Sequence, residues 1–565
     1  WIQQADSNFS ILVLTIMFTT SIVILTGLLQ LLIGWFRFMP GDDSLYSVFT
    51  NRNLFSSALF VFIPFNLYAA LSEKKSRIMG NINVGLSILI IILLKSRATW
   101  LALLIALLCI ITLLLIRKDN IRMLRNILLQ KRNLVTAIVI LVAVVFGFCF
   151  MNSQFLKKTT TVGRKDIVST GTLKLRFQAW DKSWQMLKDK PVLGHGAGNW
   201  RLLLPKYELG KIKREGKLFH WNRPHNDFLW VAAETGVIGG LAYISIFVMI
   251  LFLGVRVLLR EKEPDRAVLM LLTICGIVGY LGIALFSFPR ERIVQYMMIH
   301  VLFAVILSMD KPLVFAREAN PKKHRAGESK PFSTIAVGCV LISLFVTFIG
   351  IYRDMADRKV VKIGHAHAEY SRILNGYQAK KIPANIAGPR LKEKHETIER
   401  IVDRLNPNLY NVDGFGKATR SYLAELYMMQ DRYALAISEF QKSLKATPYD
   451  SSVLNNLAVA YWRSGKFGEA LQTYEYLFAI ASDLDLIRLN MIAIQWLSKQ
   501  PENAYKTLAE LEEPLKDATR LQVFNEMAKY YLERGDSTRV KIVLEKISPE
   551  IFTAQTDSIK VQLKW

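Results

Sequence analysis

Cysteine is scarce: Cys109, Cys149, Cys275 and Cys339 are the four in 565 residues, and all fall inside apolar runs. There they read as small core residues, which argues against a disulfide framework and a thiolate metal site. Asp and Glu number 46 against 72 Lys and Arg. No Asp or His cluster stands at metal-ligand spacing and no Gly-x-Ser-x-Gly marks a hydrolase nucleophile, so neither a metal nor another cofactor is expected. A nucleotide loop is missing too. The nearest stretch, Gly194-His195-Gly196-Ala197-Gly198, lacks the strand–turn–helix setting and reads as a tight turn that lets backbone approach a helix. No initiator Met and no signal peptide precede the first apolar run; Trp1 reads as an internal start, with further spans expected upstream.

Apolar length is abundant. The chain is 52% hydrophobic, its mean hydropathy is +0.25, and the excess is concentrated in the first 350 residues. Runs that can cross a bilayer, which takes roughly 20 residues each, are expected near 11–33, 54–71, 79–94, 98–116, 134–151, 236–259, 267–288, 293–308 and 333–351, the third and eighth being short. The loops near 72–77, 117–132, 256–266 and 311–330 are rich in Lys and Arg, whereas those near 37–52, 95–97 and 290–292 carry two apiece. Positive loops stay cytoplasmic, so residues 152–235 and everything after 351 are expected outside the cytoplasm. The net charge of +26 would suggest nucleic acid in a soluble protein. Here topology accounts for much of it, and no nucleic-acid partner is expected.

The expected organisation is a membrane domain over 1–351 with an outer loop at 152–235, and a cytoplasmic linker at 310–331, where His324 sits in a solvated basic run. A helical connector over 353–416 and a repeat domain over 417–565 follow. From Lys417 the pattern fits the roughly 34-residue tetratricopeptide period. Leu423, Ala424, Tyr427, Ala436, Phe440 and Pro448 are followed by Leu457, Ala458, Tyr461, Ala470 and Tyr474, with Ser482 where Pro would stand. A weaker third copy surrounds Met491, Ala504 and Leu508, and a fourth starts near Met527, Ala528 and Tyr531. Stacked helix pairs leave a concave surface suited to a protein partner, or act as an architectural prop. The fold class is therefore all-α: a polytopic helical membrane protein with an α-solenoid.

The densest chemistry lies in 173–240. Leu173, Phe177, Trp180, Trp184 and Leu187 mark one face of a helix that ends at Pro191, its two Trp suited to a membrane interface. Arg176 flanks that face, either as a snorkelling anchor or as a phosphate ligand whose fork matches phosphate oxygens bidentately. Arg97, in the short outward turn LLKSRATW, has the same two readings, and Lys95 beside it reads as an end-cap. His225 sits in the Pro-fixed turn Arg223-Pro224-His225-Asn226. An imidazole with an ordinary pKa near 6.5 can accept a proton there; a structural histidine is the alternative. His195 and His220 have weaker settings.

The SRA turn with Arg97, the RFQAW…W helix, the PxLGHGAGN turn and the PHNDFLWVAAETGVIGG passage together resemble the O-antigen ligase/polymerase (Wzy_C-type) family over roughly 45–310. The resemblance implies a GT-C-like membrane glycosyltransferase of the bacterial inner membrane with periplasmic chemistry. It implies a donor glycan on undecaprenyl diphosphate and an acceptor that is lipid A-core in ligases, a further repeat unit in polymerases, or protein in O-oligosaccharyltransferases; a ligase reaction with lipid A-core is favoured. Arg97 and Arg176 then correspond to the family's diphosphate-contacting arginines and His225 to its essential loop histidine. Arg223, Asn226, Arg290 and Arg292 are further candidates for glycan or phosphate contacts. Displacement of diphosphate, already a good leaving group, would invert the anomeric carbon without a metal. The repeats depart from the simplest ligases and point to a protein partner. A lipid-linked glycan transporter and a non-catalytic membrane scaffold are the rival classes.

Overall fold

A computed structural model of the chain describes residues 6–33, 47–49, 51–72, 76–116, 130–151, 170–207, 213–214, 217–218, 223–310, 330–414, 416–480, 485–511, 514–516 and 518–563. Residues 311–329 of the linker expected at 310–331, most of the basic loop at 117–132, His220 and His324 lie outside these residues. The architecture is all-α, apart from short β pairings such as Lys213–Arg214 with Lys217–Leu218. Two compact units emerge: Trp1–Ala197 with Arg223–His324, and Gly198–Asn222 with Arg325–Trp565.

The first unit is built from α1 (Asp6–Ile33), α2 (Arg52–Leu71), α3 (Arg77–Leu93), α4 (Arg97–Ile116), α5 (Lys131–Met151), α6 (Thr170–Asp189), α7 (Asp227–Arg260), α8 (Pro264–Phe286) and α9 (Ile293–Met309). Among the described residues α1, α2, α4, α7 and α8 are long and apolar enough to cross a membrane, and α3, α5 and α9 are shorter apolar helices. α2 and α8 are buried over most of their length, whereas α4 and α5 turn many large apolar side chains outward, as lipid contact demands. Helices in lipid gain little from hydrophobicity against each other, so close packing and polar contacts must hold them. Gly276 and Gly279 of α8 supply the packing. A Cβ on either would come within 2.7 Å of Pro64 or 2.1 Å of Phe60, both on α2. The polar contacts come from Asn66, whose Nδ2 donates to Thr20 Oγ1 at 3.0 Å, and Asn83, whose Nδ2 donates to Asn66 Oδ1 at 2.8 Å, linking α1, α2 and α3.

The second unit starts with α10 (Lys330–Gln378), a helix of 49 residues. The boundary expected near residue 352 falls inside it, because no proline interrupts 332–382 and the change from apolar to charged residues alters only what the helix faces. α11 (Ala384–Asp403) follows. Antiparallel pairs then succeed one another: α12 (Thr419–Met429) with α13 (Tyr433–Ala446), and α14 (Ser451–Arg463) with α15 (Phe467–Ile480). Next come α16 (Asp485–Leu497) with α17 (Pro501–Ala509), then α18 (Leu521–Glu533) with α19 (Ser537–Glu545), and a final α20 (Ala554–Gln562). Leu423, Ala424, Ala436 and Phe440 are buried in the first pair, and Leu457, Ala458, Ala470 and Tyr474 in the second. The segment 198–222 belongs to this unit: Arg201 donates to the carbonyls of Gly414 at 2.7 Å and Asp413 at 3.2 Å.

Candidate active site

Three chain segments meet at one end of the membrane helices. The first is the turn between α3 and α4. Leu94 closes α3, Lys95 takes the left-handed conformation (φ 53°), and the buried Ser96 and Thr99 hydroxyls hydrogen-bond at 3.1 Å. Trp100 anchors the turn by donating from Nε1 to Ile91 O at 3.1 Å. Arg97 is thereby fixed as the first residue of α4.

The second segment is α6. Its buried side is made by Ala179, Ser183, Met186 and Leu187, and the exposed Phe177 and Trp184 lie outside it. Small residues at 179 and 183 allow the close approach to α7 that larger ones would block. Thus the apolar stripe read from the sequence divides: Trp180 and Leu187 pack inward, and Phe177 and Trp184 are left for an interface.

The third segment is the turn ahead of α7. Asn226 is extended (φ −156°, ψ 107°) and its Oδ1 accepts from Leu229 N at 3.0 Å, capping the helix. His225 is held at φ 56°, a left-handed conformation uncommon for a side chain other than glycine and characteristic of constrained sites. The span expected at 236–259 is only the later part of α7. The helix begins at Asp227, and at Gly236 (φ 71°, ψ −172°) its regular geometry breaks. That break is filled by the glycine turn. His195 N and Gly196 N donate to Ala233 O at 3.2 Å and Glu234 O at 2.7 Å, and Val237 N donates to Pro191 O at 2.7 Å. A Cβ on Gly194 would lie 2.4 Å from Glu234 backbone, and one on Gly236 would lie 2.1 Å from Val192 O. The GHGAG stretch is therefore a backbone plug for a broken helix.

These segments enclose a cavity of about 270 Å³ lined by Arg52, Lys95, Arg97, Arg176, His225, Phe286 and Phe288, among others. The structure thus brings Arg97, Arg176 and His225 together. Arg223, Asn226, Arg290 and Arg292 are not in that lining. Arg223 pairs with Glu291, and the Arg223 and Arg292 guanidinium groups lie 4.8 and 4.9 Å from the Phe288 ring centre. His225 meets the same ring edge-to-face at 5.0 Å. Arg290 lies over Trp230 at 4.6 Å, and its backbone N–H donates to Asp227 Oδ2 at 3.0 Å. Arg223 and Arg292 thus back Phe288 in the cavity wall.

Electrostatics follow from this crowding of cations. Burial first, then the charge of Arg97, pushes Arg176 below the ordinary guanidinium range. Burial, Arg176 and Arg223 push His225 down to about 4, so its imidazole is neutral at pH 7. A site with clustered guanidiniums and a neutral imidazole can bind a multiply charged anion and accept a proton beside it. Among the described residues no group of three His, Cys, Asp or Glu side chains could share a metal ion.

Residues 82–244 match the family described as O-antigen ligase (Wzy_C). The membrane unit carries an O-antigen ligase family domain. No curated protein matches the chain. Within this O-antigen ligase domain the matched residues include Arg97, Arg176, Arg223, His225 and Asn226, while Arg52, Arg290, Arg292 and the paired helices of the second unit lie outside them. The sequence reading missed Arg52 and undervalued Lys95. The usable signal was topological: outward turns of one helical bundle end at the same level, so the turn before Arg52 had the same claim as the one holding Arg97.

Proposed function

We propose that the protein transfers a glycan from undecaprenyl diphosphate to an acceptor hydroxyl at the periplasmic face of the bacterial inner membrane, with lipid A-core as the favoured acceptor. The observation that carries this reading is the convergence of Arg97, Arg176 and His225 on one cavity. Two guanidiniums held together in a half-dry site repel each other, and a diphosphate relieves that repulsion. Arg52 and Lys95 add positive charge to the same wall.

In the reaction the acceptor oxygen attacks the anomeric carbon from the face opposite the leaving group. The bond from that carbon to the diphosphate oxygen breaks, and its electron pair leaves with the diphosphate. Negative charge then grows where Arg97 and Arg176 stand, which lowers the barrier electrostatically. The acceptor proton passes to His225, neutral beforehand and made more basic by the bound diphosphate. One displacement inverts the anomeric configuration.

The test is a deletion strain rescued with wild type or His225→Ala, its surface glycans separated on a gel. Loss of capped lipid A-core with accumulation of long lipid-linked polymer supports the ligase reading. Single repeat units alone would mean a polymerase. Unchanged glycans at normal protein level would remove His225 from the chemistry. A protein acceptor is the second reading, favoured by the successive helix pairs of α12 to α19, which we read as tetratricopeptide repeats able to hold a peptide. It predicts unchanged lipopolysaccharide and glycoproteins that lose their sugar.

A further inference from the structure

The membrane unit holds a second hollow of different chemistry. Between α3 and α5 runs an apolar groove of about 730 Å³. Its floor is shaped by Gly85, where a Cβ would lie 2.7 Å from Val139 Cγ1. Ile82, Ile138, Val142 and Phe146 line it and are exposed, as side chains in contact with lipid would be. The groove is apolar except at one end, where Arg77 and Asn81 stand. Among the described residues Arg77 Nε and Nη2 and Asn81 Oδ1 are buried atoms without a hydrogen-bond partner, and Asn81 is 8% exposed. Buried donors and acceptors are normally satisfied, and a buried charge almost always is.

The unmet groups describe their partner. Arg77 offers two N–H donors and a positive charge, which suits a phosphodiester. Asn81 offers an acceptor, which needs a hydroxyl beside that phosphate. The groove needs an alkyl chain. From Arg77 to Leu89 the helix rises about 18 Å at roughly 1.5 Å per residue, close to the about 15 Å depth of one leaflet's hydrocarbon. We propose that this groove binds one anionic phospholipid with a hydroxylated headgroup, phosphatidylglycerol: its phosphate on Arg77, its headgroup hydroxyl on Asn81 Oδ1, and an acyl chain between α3 and α5. The site lies at the opposite end of α3 from the Arg97 turn, so it is separate from the cavity where the diphosphate is placed.

Native mass spectrometry of the full chain, with phosphatidylglycerol, phosphatidylethanolamine or phosphatidylcholine added in equal amounts, tests this. The wild type should retain one phosphatidylglycerol at least about tenfold better than the other two. Arg77→Gln should abolish that preference and Asn81→Leu should weaken it. Ile82→Trp, which fills the groove from its exposed edge and leaves Arg77 intact, should also expel the lipid and provides an independent variant if Arg77→Gln fails to fold. Equal retention of all three lipids, or an undiminished preference in Arg77→Gln, would overturn the proposal. So would displacement of the lipid by inorganic phosphate alone, which would make the site a simple anion site.

Discussion

Trp180 donates its indole N–H to the backbone carbonyl of Pro224 at 2.8 Å, joining the middle of α6 to the turn that presents His225. Arg176 lies one helical turn before Trp180 on the same helix. One hydrogen bond therefore sets the spacing between a cavity guanidinium and the cavity imidazole, and the Trp180 ring packs on Phe286, another cavity residue, at 5.7 Å.

Trp180→Phe keeps an aromatic ring and removes the donor. A neutral hydrogen bond contributes about 0.5–1.5 kcal/mol net, and about 1.4 kcal/mol is a tenfold change in rate. Glycan transfer by membranes holding normal amounts of the variant should slow by up to about tenfold, measured as initial rate with saturating donor. An unchanged rate would mean that the turn is held by other contacts.

Arg97→Ala and Arg176→Ala should each lower transfer by about a hundred- to a thousandfold, the usual scale for removing one group that stabilises developing charge. Inorganic pyrophosphate should inhibit the wild type and lose its grip on both variants. If pyrophosphate inhibits the variants as well as the wild type, the two arginines do not hold the diphosphate.

His225 carries the pH dependence. With its folded value near 4, set by burial and then by Arg176 and Arg223, the free enzyme keeps a neutral imidazole through the neutral range. The acid limb of kcat/KM should therefore lie near pH 4. Under the proposed function a bound diphosphate would add negative charge beside the imidazole and raise its pKa, so the acid limb of kcat should lie at higher pH. The stability sign is that of a carboxylate with a depressed folded pKa, and the reverse of a histidine that gains an anionic partner. Below about 6.5 the unfolded chain gains a proton that the folded chain refuses. Stability should fall between about pH 6.5 and 4, and His225→Gln should remove that component, as read by thermal unfolding across this range.

Gly194→Ala and Gly236→Ala should each deplete the folded protein strongly. Both positions have positive φ, and the added methyl would meet backbone atoms at 2.4 and 2.1 Å, which no rotamer can relieve. Gly198 also has positive φ but open space within 4 Å, so Gly198→Ala should cost only about 1 kcal/mol. Membrane abundance and fluorescence-detected size exclusion would separate the two cases.

Helices were legible from the sequence because apolar runs and Lys/Arg-rich loops are strong local signals. The cavity was legible through residue type: Arg97 stood out in a short turn between two apolar runs, Arg176 on the flank of an aromatic-rich helix, and His225 beside its proline. Arg52 did not, because a single charge at the edge of an apolar run was counted only as one of the few positives of a sparsely charged loop. The start of α7 was hidden because Asp227 and Glu234 bracket the short apolar run 228–233 and Gly236 reads as a stop. The docking of 191–196 onto that break, about 40 residues away in sequence, supplies partners to Ala233 O, Glu234 O and Val237 N. The capping role of Asn226 depends on its backbone being extended while Leu229 is helical, and that becomes visible only once the helix start is known.

The Arg201 contacts bear on how the protein matures. Arg201 waits for Gly414, 213 residues later in the chain, before its guanidinium finds the carbonyl it donates to. At synthesis rates of about 5–20 residues per second this is a delay on the order of 10–40 s. During that interval the membrane helices can insert and pack, but the Arg201 guanidinium has not yet met the carbonyls it will donate to. The second unit is thus completed only after residue 414 has emerged, and a ribosome that stops before it leaves Arg201 without these partners.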